Sequence, residues 1–510
     1  MFVRKKRNAS GSVSVQIIDK TNGYRVFQTV GSSRDPNEIE RFLLQARQII
    51  HAGPPGHLWL FPNQTKEELI LENFLDHLSN AQIHTVGPEL IFGALFDRIG
   101  FDAIKDPLFR HLTIARLAFP LSKLKTVDYL RRYRGIEISE DAIYRFMDKL
   151  SGRYKDKASA IAYEHTKLRL GGCVAFVFYD MTTLYFEAED EDDLRKIGFS
   201  KDGKFQKPQI LLGLLVGQGG LPIGYDIFEG NTFEGHTLLP VLKRIQSTYG
   251  FSKPVVVADA ALLSTENLKN LVREGYQFII GARIKNESEA IKAQILQQVQ
   301  GAFDGDSLVL KKDDATRLIV TYSRKRAKKD AANRERGLKK LRQQIKSGRL
   351  TKQSINNRGY NRFLAILGKA SVVIDENKVE SDHCWDGLKG YVTNTRLSAK
   401  EVAQNYVQLW QIENAFRVSK TDLRVRPVHH YLRRRIEAHI SIAFVAYAIY
   451  KELEYLLRKH DAAISVKRAV ELTQNMYELQ YDLSNSGEIK KRVLKMDDQQ
   501  QIVYDVIHKF

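Results

Sequence analysis

Two aspartates directly follow apolar runs in the middle of the sequence. Asp180 follows residues 174–179, and Asp259 follows residues 255–258. Both runs are rich in β-branched and aromatic residues, which is typical of buried strands. Functional groups in open α/β sheets commonly lie at such strand ends. For either Asp taken alone, the plainer interpretation is a residue that only caps a strand or a loop.

Taken together, the two carboxylates indicate a cation site. Carboxylates at neighbouring strand ends repel each other in a low dielectric unless a cation lies between them. Oxygen ligands select Mg²⁺ or Mn²⁺. In phosphoryl transfer one such ion activates the attacking oxygen and a second stabilises the leaving oxygen. Asp180 and Asp259 therefore predict a site for two divalent ions, which a third carboxylate would complete.

The segment YVQLWQIENAFRVSK supplies that carboxylate on a helical pattern. Tyr406, Glu413 and Lys420 follow one another at intervals of seven residues, so each is only about 20° around the helix from the last. Trp410 and Arg417 share the face of Glu413. One helix would thus bring a metal ligand and phosphate-binding cations to a DNA end. The alternative is a heptad face packed on a neighbour, with an internal pair of Glu and Arg.

Three other glutamates, Glu229, Glu234 and Glu266, lie closer in sequence to the two aspartates. The first two follow a predicted strand whose far end points away from the site. Glu266 begins a helix, where the dipole alone favours an acidic residue. The third carboxylate is therefore predicted to be Glu413, facing Asp180 across a metal-sized gap.

The same segments resemble the three catalytic segments of DDE transposases from bacterial insertion sequences. YDMTTLYFE, VVVADAALLS and YVQLWQIENAFRVSK match, in order, those of the group with a Tyr, Arg, Glu, Lys signature. Tyr406, Glu413 and Lys420 fit the signature, whereas Leu409 stands in the Arg position. Arg417 is one turn further along and can reach a similar phosphate.

The resemblance implies a metal-binding triad of Asp180, Asp259 and Glu413 on a ribonuclease-H-like sheet that carries a β-rich insertion. It also implies cut-and-paste DNA transposition, with cleavage and strand transfer that depend on two Mg²⁺ or Mn²⁺ ions. The expected partners are terminal inverted repeats, target DNA and a second copy of the chain, because two element ends must be joined. The DNA-binding residues would be Tyr406, Arg417 and Lys420.

Composition agrees with a polyanionic partner. Lys and Arg number 79 against 60 Asp and Glu, a formal net charge of +19. Hydrophobic residues make up 43% of the chain, which is enough for folded cores. The two cysteines lack zinc-site spacing. The longest apolar run, 438–450, is shorter than the ~20 residues of a membrane span, and no secretory signal is recognised, so a cytoplasmic protein without membrane contact is expected.

The texture of the sequence changes several times along the chain. Strand-like runs from Gly171 onward, followed by alternating helix and strand, predict a mixed α/β sheet. Five parts are predicted: an N-terminal β hairpin and helix at 1–65, a helical region at 66–167, a catalytic core at 168–284 with 396–460, an inserted β-rich and basic module at 285–395, and a C-terminal helical tail at 461–510.

Further DNA contacts are predicted outside the core. Residues 324–352 hold 13 Lys or Arg against 2 Asp or Glu, which suits a phosphate-tracking surface or, alternatively, a solvated helix. Trp385 is a candidate for stacking on an unpaired base, although such a Trp is more often part of a core. Residues 122–150 read as two helices around Gly135, with Ser139 or Asp141 as the cap of the second. Such a pair is a candidate helix-turn-helix for terminal repeats.

Two other functions remain open from the sequence. A nuclease or resolvase on the same sheet would cut DNA without integrating it, so strand transfer separates it from a transposase. A DNA-binding regulator without catalysis is the other alternative, and the presence of all three carboxylates argues against it.

Overall fold

The computed structural model describes residues 1–510 except 21–22, 53–65, 77, 251–252, 263, 300, 349, 351–354, 357–358, 368–370, 483–488 and 510. It divides the chain into two compact units, residues 1–82 and 83–510. The five predicted parts are therefore not separated in this way. Among the described helices, none is both long and apolar enough to cross a bilayer.

The first unit is a three-stranded antiparallel sheet with helices after it. Its elements are β1 Phe2–Arg7, β2 Val13–Asp19, β3 Arg25–Ser33, α1 Pro36–Ala52 and α2 Lys66–Asp76. The strands pair in the order β1-β2-β3. The predicted hairpin is β2 with β3, and β1 adds a strand that the sequence did not predict.

The second unit begins with a short strand and a set of helices. These are β4 Ile83–Thr85, α3 Ala94–Ile99, α4 Pro107–Ala118, α5 Lys123–Arg134, α6 Glu140–Lys149 and α7 Lys155–Arg169. Gly135 ends α5 in the left-handed conformation, with φ 62°, which glycine adopts without strain. The Ser139 side chain caps α6 by accepting from the amide of Ala142. The predicted break and the first of the two predicted caps are both confirmed.

The strands predicted after Gly171 form most of a large mixed sheet. Their bounds, with those of the intervening helices, are β5 Phe176–Tyr185, β6 Gln209–Val216, β7 Pro222–Glu229, α8 Leu238–Tyr249, β8 Val255–Ala258, α9 Thr265–Arg273 and β9 Gln277–Ala282. The order in this part is β7-β6-β5-β8-β9. β8 runs parallel to β5 and β9, and the other pairs are antiparallel. The mixed α/β sheet is confirmed.

Residues 285–395, predicted to be a module inserted between the last strand of the core and its closing helices, contribute three strands to the large sheet. The elements are α10 Glu289–Gln298, β10 Ser307–Lys311, β11 Arg317–Tyr322, α11 Arg324–Lys346, β12 Leu364–Leu367, β13 Ser371–Ile374, α12 Glu376–His383 and β14 Leu388–Thr393. β14 pairs with β9, and β11 and β10 follow, so the sheet has eight strands. The reason is that β9 would otherwise expose an unpaired edge, which β14 covers.

Helices cover the large sheet on one side. They are α13 Ala399–Val407, α14 Trp410–Arg417 and α15 Arg433–Lys459. The last residues were predicted to be a helical tail, but α16 Val466–Thr473 and α17 Asp498–His508 enclose two strands, β15 Tyr477–Asp482 and β16 Ile489–Val493. β15 pairs with β4 and thereby joins a three-stranded sheet.

The two faces of the large sheet pack against different helices. Alternate residues point to opposite faces, so Phe178 and Val257 belong to one core and Tyr179 and Ala258 to the other. The first core also contains the buried residues of α14 and α15, and the second contains those of α8. By the same alternation, Asp180 lies on the face that α14 and α15 cover.

Candidate active site

Asp180 and Asp259 are neighbours across two parallel strands. The register pairs Tyr179 with Ala258 at the end of the β5–β8 ladder, and the aspartates are the next residue on each strand. Both therefore project from the same face of the sheet. Asp259 follows β8 as predicted, but Asp180 does not end β5. The strand continues to Tyr185 because its second half still pairs with β6.

Asp180 is largely buried, with 23% of its side chain exposed. Burial raises the pKa of its carboxyl to about 6, and the charges of Asp259 and Glu234 act in the same direction. The ammonium of Lys201 and the amide of Met181, which donates to Oδ1 at 2.7 Å, oppose that rise. Negative charge at this position is thus held at a cost, as expected where a cation is meant to bind.

Lys201 supplies a positive charge beside Asp180. Its Nζ lies 3.5 Å from Asp180 Oδ1 and 2.9 Å from Glu234 Oε1, and it donates to the carbonyl of Met181 at 2.7 Å. Burial would lower the pKa of Lys201, but the two carboxylates raise it. No sequence pattern predicted this contact, because Lys201 is one of several lysines in the polar segment between β5 and β6.

Glu234 lies close to Asp180, contrary to the sequence-based argument that set it aside. It begins the short 3₁₀ helix Glu234–His236, and its ion pair with Lys201 brings it to the same side of the site. The strand before it, β7, ends at Glu229, and the chain turns back over the next residues. Glu234 is therefore an alternative to Glu413 as the candidate third metal-binding carboxylate.

Glu413 lies on the exposed face of α14. Ile412, Ala415 and Phe416 are buried against the sheet, whereas Trp410, Glu413 and Arg417 point outward. The helix packs on β5 and β6, and Gln411 anchors it by accepting from the amide of Gly220 at 2.9 Å. Glu413 is thus carried on the face of the sheet that bears the aspartates.

Lys389 and Tyr406 both lie near enough to Asp259 and Glu413 for the two carboxylate charges to affect their pKa values. Burial and Arg326 lower the pKa of Lys389, and both carboxylates raise it. Burial raises the pKa of Tyr406 to about 12, with further contributions from Asp259 and Glu413. The Lys389 ammonium lies 4.6 Å from the centroid of the Tyr406 ring.

The three predicted ligands do not form a compact cluster. Within the described part of the chain, no group of three or more His, Cys, Asp or Glu side chains is close enough to hold an ion. The metal-sized gap expected between Glu413 and the aspartates stays a prediction. Asp180 and Asp259 still provide hard oxygen donors side by side. The raised pKa of Asp180 means that a bound cation would stabilise its charged form. The pair fits Mg²⁺ or Mn²⁺.

The predicted single helical stripe is broken, because α13 ends at Val407 and α14 begins at Trp410. Tyr406 is consequently turned inward. Its ring packs 5.0 Å from that of Tyr391, and its hydroxyl lies 2.3 Å from where a Cβ on Gly281 would stand. Only a glycine leaves room for it.

Arg417 and Lys420 differ in their accessibility. Arg417 is 58% exposed and donates to the neighbouring Asn414, at 2.8 and 3.1 Å, while Asp422 is 3.7 Å away. Lys420 is 11% exposed and pairs with Asp202 at 3.2 Å. Arg426 also pairs with Asp202. Arg417 is therefore available to a phosphate, whereas Lys420 anchors the loop that contains Asp202.

A cleft of about 710 Å³ opens beside Asp259. Its walls are the end of β9, the start of β14 and the basic helix α11. The charged residues that line it are Arg283, Lys285, Arg326, Asp330, Arg334, Arg362, Asp382, Asp386 and Lys389. Arg334 is bound to Asp386 at 2.6 Å, so part of this charge is neutralised within the wall.

The predicted basic segment forms α11 over most of its length, and its end, at residues 349 and 351–352, lies outside the described residues. Trp385, the candidate for base stacking, lies in the turn between α12 and β14. It is 9% exposed and belongs to the core on the α8 face, although it lines the cleft. Its aromatic face is therefore mainly used in packing.

The predicted helix pair α5 and α6 presents fewer free cations than its sequence suggests. Arg131 and Arg132 bind Asp128 at 3.2 and 2.8 Å on the same helix. Arg134 is 15% exposed and donates to the carbonyl of Thr85 at 2.8 Å. Its role is thus to hold α5 to β4.

The known proteins to which this chain is similar are transposases. A model of the transposase DDE domain matches residues 176–449. No curated protein matches the sequence. The cryo-EM structure of the piggyBac transposase synaptic complex with hairpin DNA is similar at 11% identity, over 76% of each chain, with a TM-score of 0.39. The Mos1 transposase paired-end complex with the left transposon end is similar at 12% identity, over 48% of this chain and 66% of that one, with a TM-score of 0.16.

Proposed function

Since the chain belongs to the transposase DDE domain family, we propose that it cleaves DNA at the ends of an insertion sequence and joins those ends to target DNA. The observation that carries the proposal is the position of Asp180 and Asp259. They follow the last register pair of two parallel strands, on the sheet face that α14 covers.

The strand order supports a ribonuclease-H-like core. Three antiparallel strands, β7, β6 and β5, are followed in the sheet by β8 and β9, which run parallel to β5. Asp180 lies on β5, Asp259 directly follows β8, and Glu413 is on α14, which covers this face of the sheet. The eight-stranded sheet is then this core with β14, β11 and β10 added at its edge.

Asp180 and Asp259 would hold Mg²⁺ or Mn²⁺, with Glu413 as the proposed third ligand. When bound, a pair of such ions activates the attacking oxygen and neutralises charge on the leaving oxygen. Lys201 holds the Asp180 carboxylate in place and offsets its charge. Lys389, which is near enough to Glu413 to be affected by its charge, and the exposed Arg417 would bind phosphate oxygens. The cleft lined by α11 provides a path for the duplex beside Asp259.

The test is cleavage and strand transfer on labelled duplexes that carry the terminal repeats of the protein's own locus, with Mg²⁺ or with EDTA. Asp180→Asn and Asp259→Asn should lose cleavage while keeping DNA affinity, because phosphate contacts supply most of that affinity. Cleavage that persists in either variant removes that residue from the site. Cleavage without strand transfer would instead identify a nuclease.

The third ligand is decided by a matched pair of variants. Glu413→Gln should abolish metal-dependent cleavage, while Glu234→Gln should reduce it only modestly through the loss of an ion pair with Lys201. The reverse result assigns the third position to Glu234. Light scattering of the DNA complex tests the proposed homodimer, which requires two chains with two duplex ends.

A further inference from the structure

Among the described residues of the N-terminal unit, one face of the sheet packs on α1. The other, the open face, has buried Ser14 and Ile18 on its central strand and exposed side chains on β1 and β3. Val3, Val15 and Val30 pack with Phe42 of α1. The pairing of Val15 with Gly31 points toward this helix, because a Cβ on Gly31 would stand 2.6 Å from the Phe42 ring. Alternate residues of the three strands must therefore point away from α1.

A row of polar side chains crosses the open face. Arg4 pairs in register with Gln16, and its Nη2 donates to Gln16 Oε1 at 2.8 Å. The amide of Gln16 lies 3.4 Å from the hydroxyl of Thr29, to which it donates. Lys6 lies two residues along β1 from Arg4 and is exposed, as is Thr29. Hydrogen-bonding groups thus extend over all three strands.

The charge of the unit is concentrated in the sheet. Residues 1–34 contain seven Lys or Arg and a single acidic residue, Asp19, which binds Arg25 at 3.4 Å. Residues 35–52, which include α1, hold three acidic and two basic residues. Exposed rings accompany the charge: Phe2 is 36% and Tyr24 is 59% exposed. The Arg4 guanidinium lies 5.7 Å from the Tyr24 ring centroid.

We propose that the open face of the β1-β2-β3 sheet binds a DNA duplex by entering its major groove. Adjacent β1 and β2, at ~4.8 Å spacing, form a two-stranded ribbon of the size that a major groove about 12 Å wide admits. Arg and Gln are the side chains that pair with guanine and adenine edges there, and Lys6 is placed for the flanking phosphates. The inference rests on DNA being the substrate, and it adds a second recognition surface to the catalytic unit.

The experiment compares two double variants of the full chain by fluorescence anisotropy on terminal-repeat duplexes. Arg4→Ala with Lys6→Ala removes two charges from the open face, and Arg41→Ala with Arg47→Ala removes two from exposed positions on α1. The sheet variant should bind about tenfold or more weakly at 0.1 M salt, with a log–log salt slope reduced by about 1 to 2. The α1 variant should bind like the wild type. Equal loss in both variants, or no loss in the sheet variant, overturns the proposal.

Two measurements keep the result independent of folding and of catalysis. Methylation of guanine N7, which lies in the major groove, should interfere with binding by the unaltered protein, and duplex RNA should compete poorly because its major groove is too narrow. Equal competition by duplex RNA, or no interference, rejects the groove assignment. At saturating DNA the sheet variant should cleave at the wild-type rate. Loss of cleavage by all proteins would instead refute the proposed function.

Discussion

Replacing Asp180 with Asn should stabilise the metal-free protein while removing its activity. Burial raises the pKa of Asp180 to about 6 from its ordinary value of 3.8. This difference in pKa corresponds to about 3 kcal/mol, which is an upper bound on the cost of keeping the carboxylate charged at pH 7. The cost arises mainly from burial, so a neutral amide of the same size removes it while still filling the space.

The sign of the pH dependence follows from the raised pKa. A group whose folded pKa lies above its unfolded pKa stabilises the fold fully below pH ~4, and this contribution is lost as pH rises toward 6. Urea unfolding in EDTA should therefore show Asp180→Asn more stable than the wild type at pH 7, with the difference shrinking between pH 6 and pH 4. Addition of Mn²⁺ should stabilise the wild type and leave the variant unchanged.

Asp202 offers a control of opposite sign. Burial raises the pKa of Asp202, but Arg426 and Lys420 outweigh it and the net shift is downward. Its stabilising contribution is present above the unfolded pKa and is lost only as pH falls through the folded pKa. Asp202→Asn should thus be less stable than the wild type throughout pH 5 to 7. The reasoning fails if Asp180→Asn is destabilised at pH 7 or if its difference from the wild type does not change with pH.

Three further predictions concern packing and DNA contact. Glu452 has a side chain only 1% exposed and binds His165 at 2.8 Å and Arg169 at 3.0 Å, so Glu452→Gln should lower the unfolding free energy by roughly 3 kcal/mol in urea titrations. Gly281→Ala should cost about 1 to 3 kcal/mol because its Cβ would meet the Tyr406 hydroxyl. Addition of Tyr406→Phe should recover part of that loss, and no recovery would contradict the contact. Exchanging the exposed lysines at 339 and 340 of α11 for Glu should weaken DNA binding and reduce the salt slope by about 2; an unchanged slope would exclude α11 from the interface.

Local patterns predicted most of the strands of the sheet, because buried strands are recognisable as short apolar runs. The runs that became β5 to β9 are apolar and β-branched, and the helices between them have capping residues and helical periodicity. What a single sequence does not encode locally is pairing. That β14 would join β9 depends on contacts between residues more than a hundred positions apart, such as Thr393 with Ile279.

The same limit applies to the site. Asp180 and Asp259 were recognisable because each follows its own apolar run. Lys201 and Glu234 come from loops whose positions depend on how the chain returns to the sheet, and no spacing rule marks them. A heptad pattern treated Tyr406 and Lys420 as one stripe, but the turn at residues 408–409 separates α13 from α14 and changes the phase.

The pairing of β14 with β9 also bears on how small this enzyme can be made. The sequence-based division of the chain suggests that residues 285–395 could be deleted, since both predicted pieces of the core would remain. The deletion would instead leave β9 with an open row of amides and carbonyls from Ile279 to Ala282, where β14 now lies. Bare strand edges of this kind recruit strands from other molecules. The truncated protein should therefore form aggregates rather than a minimal nuclease, because residues 285–395 are a structural part of the sheet as well as of the cleft wall.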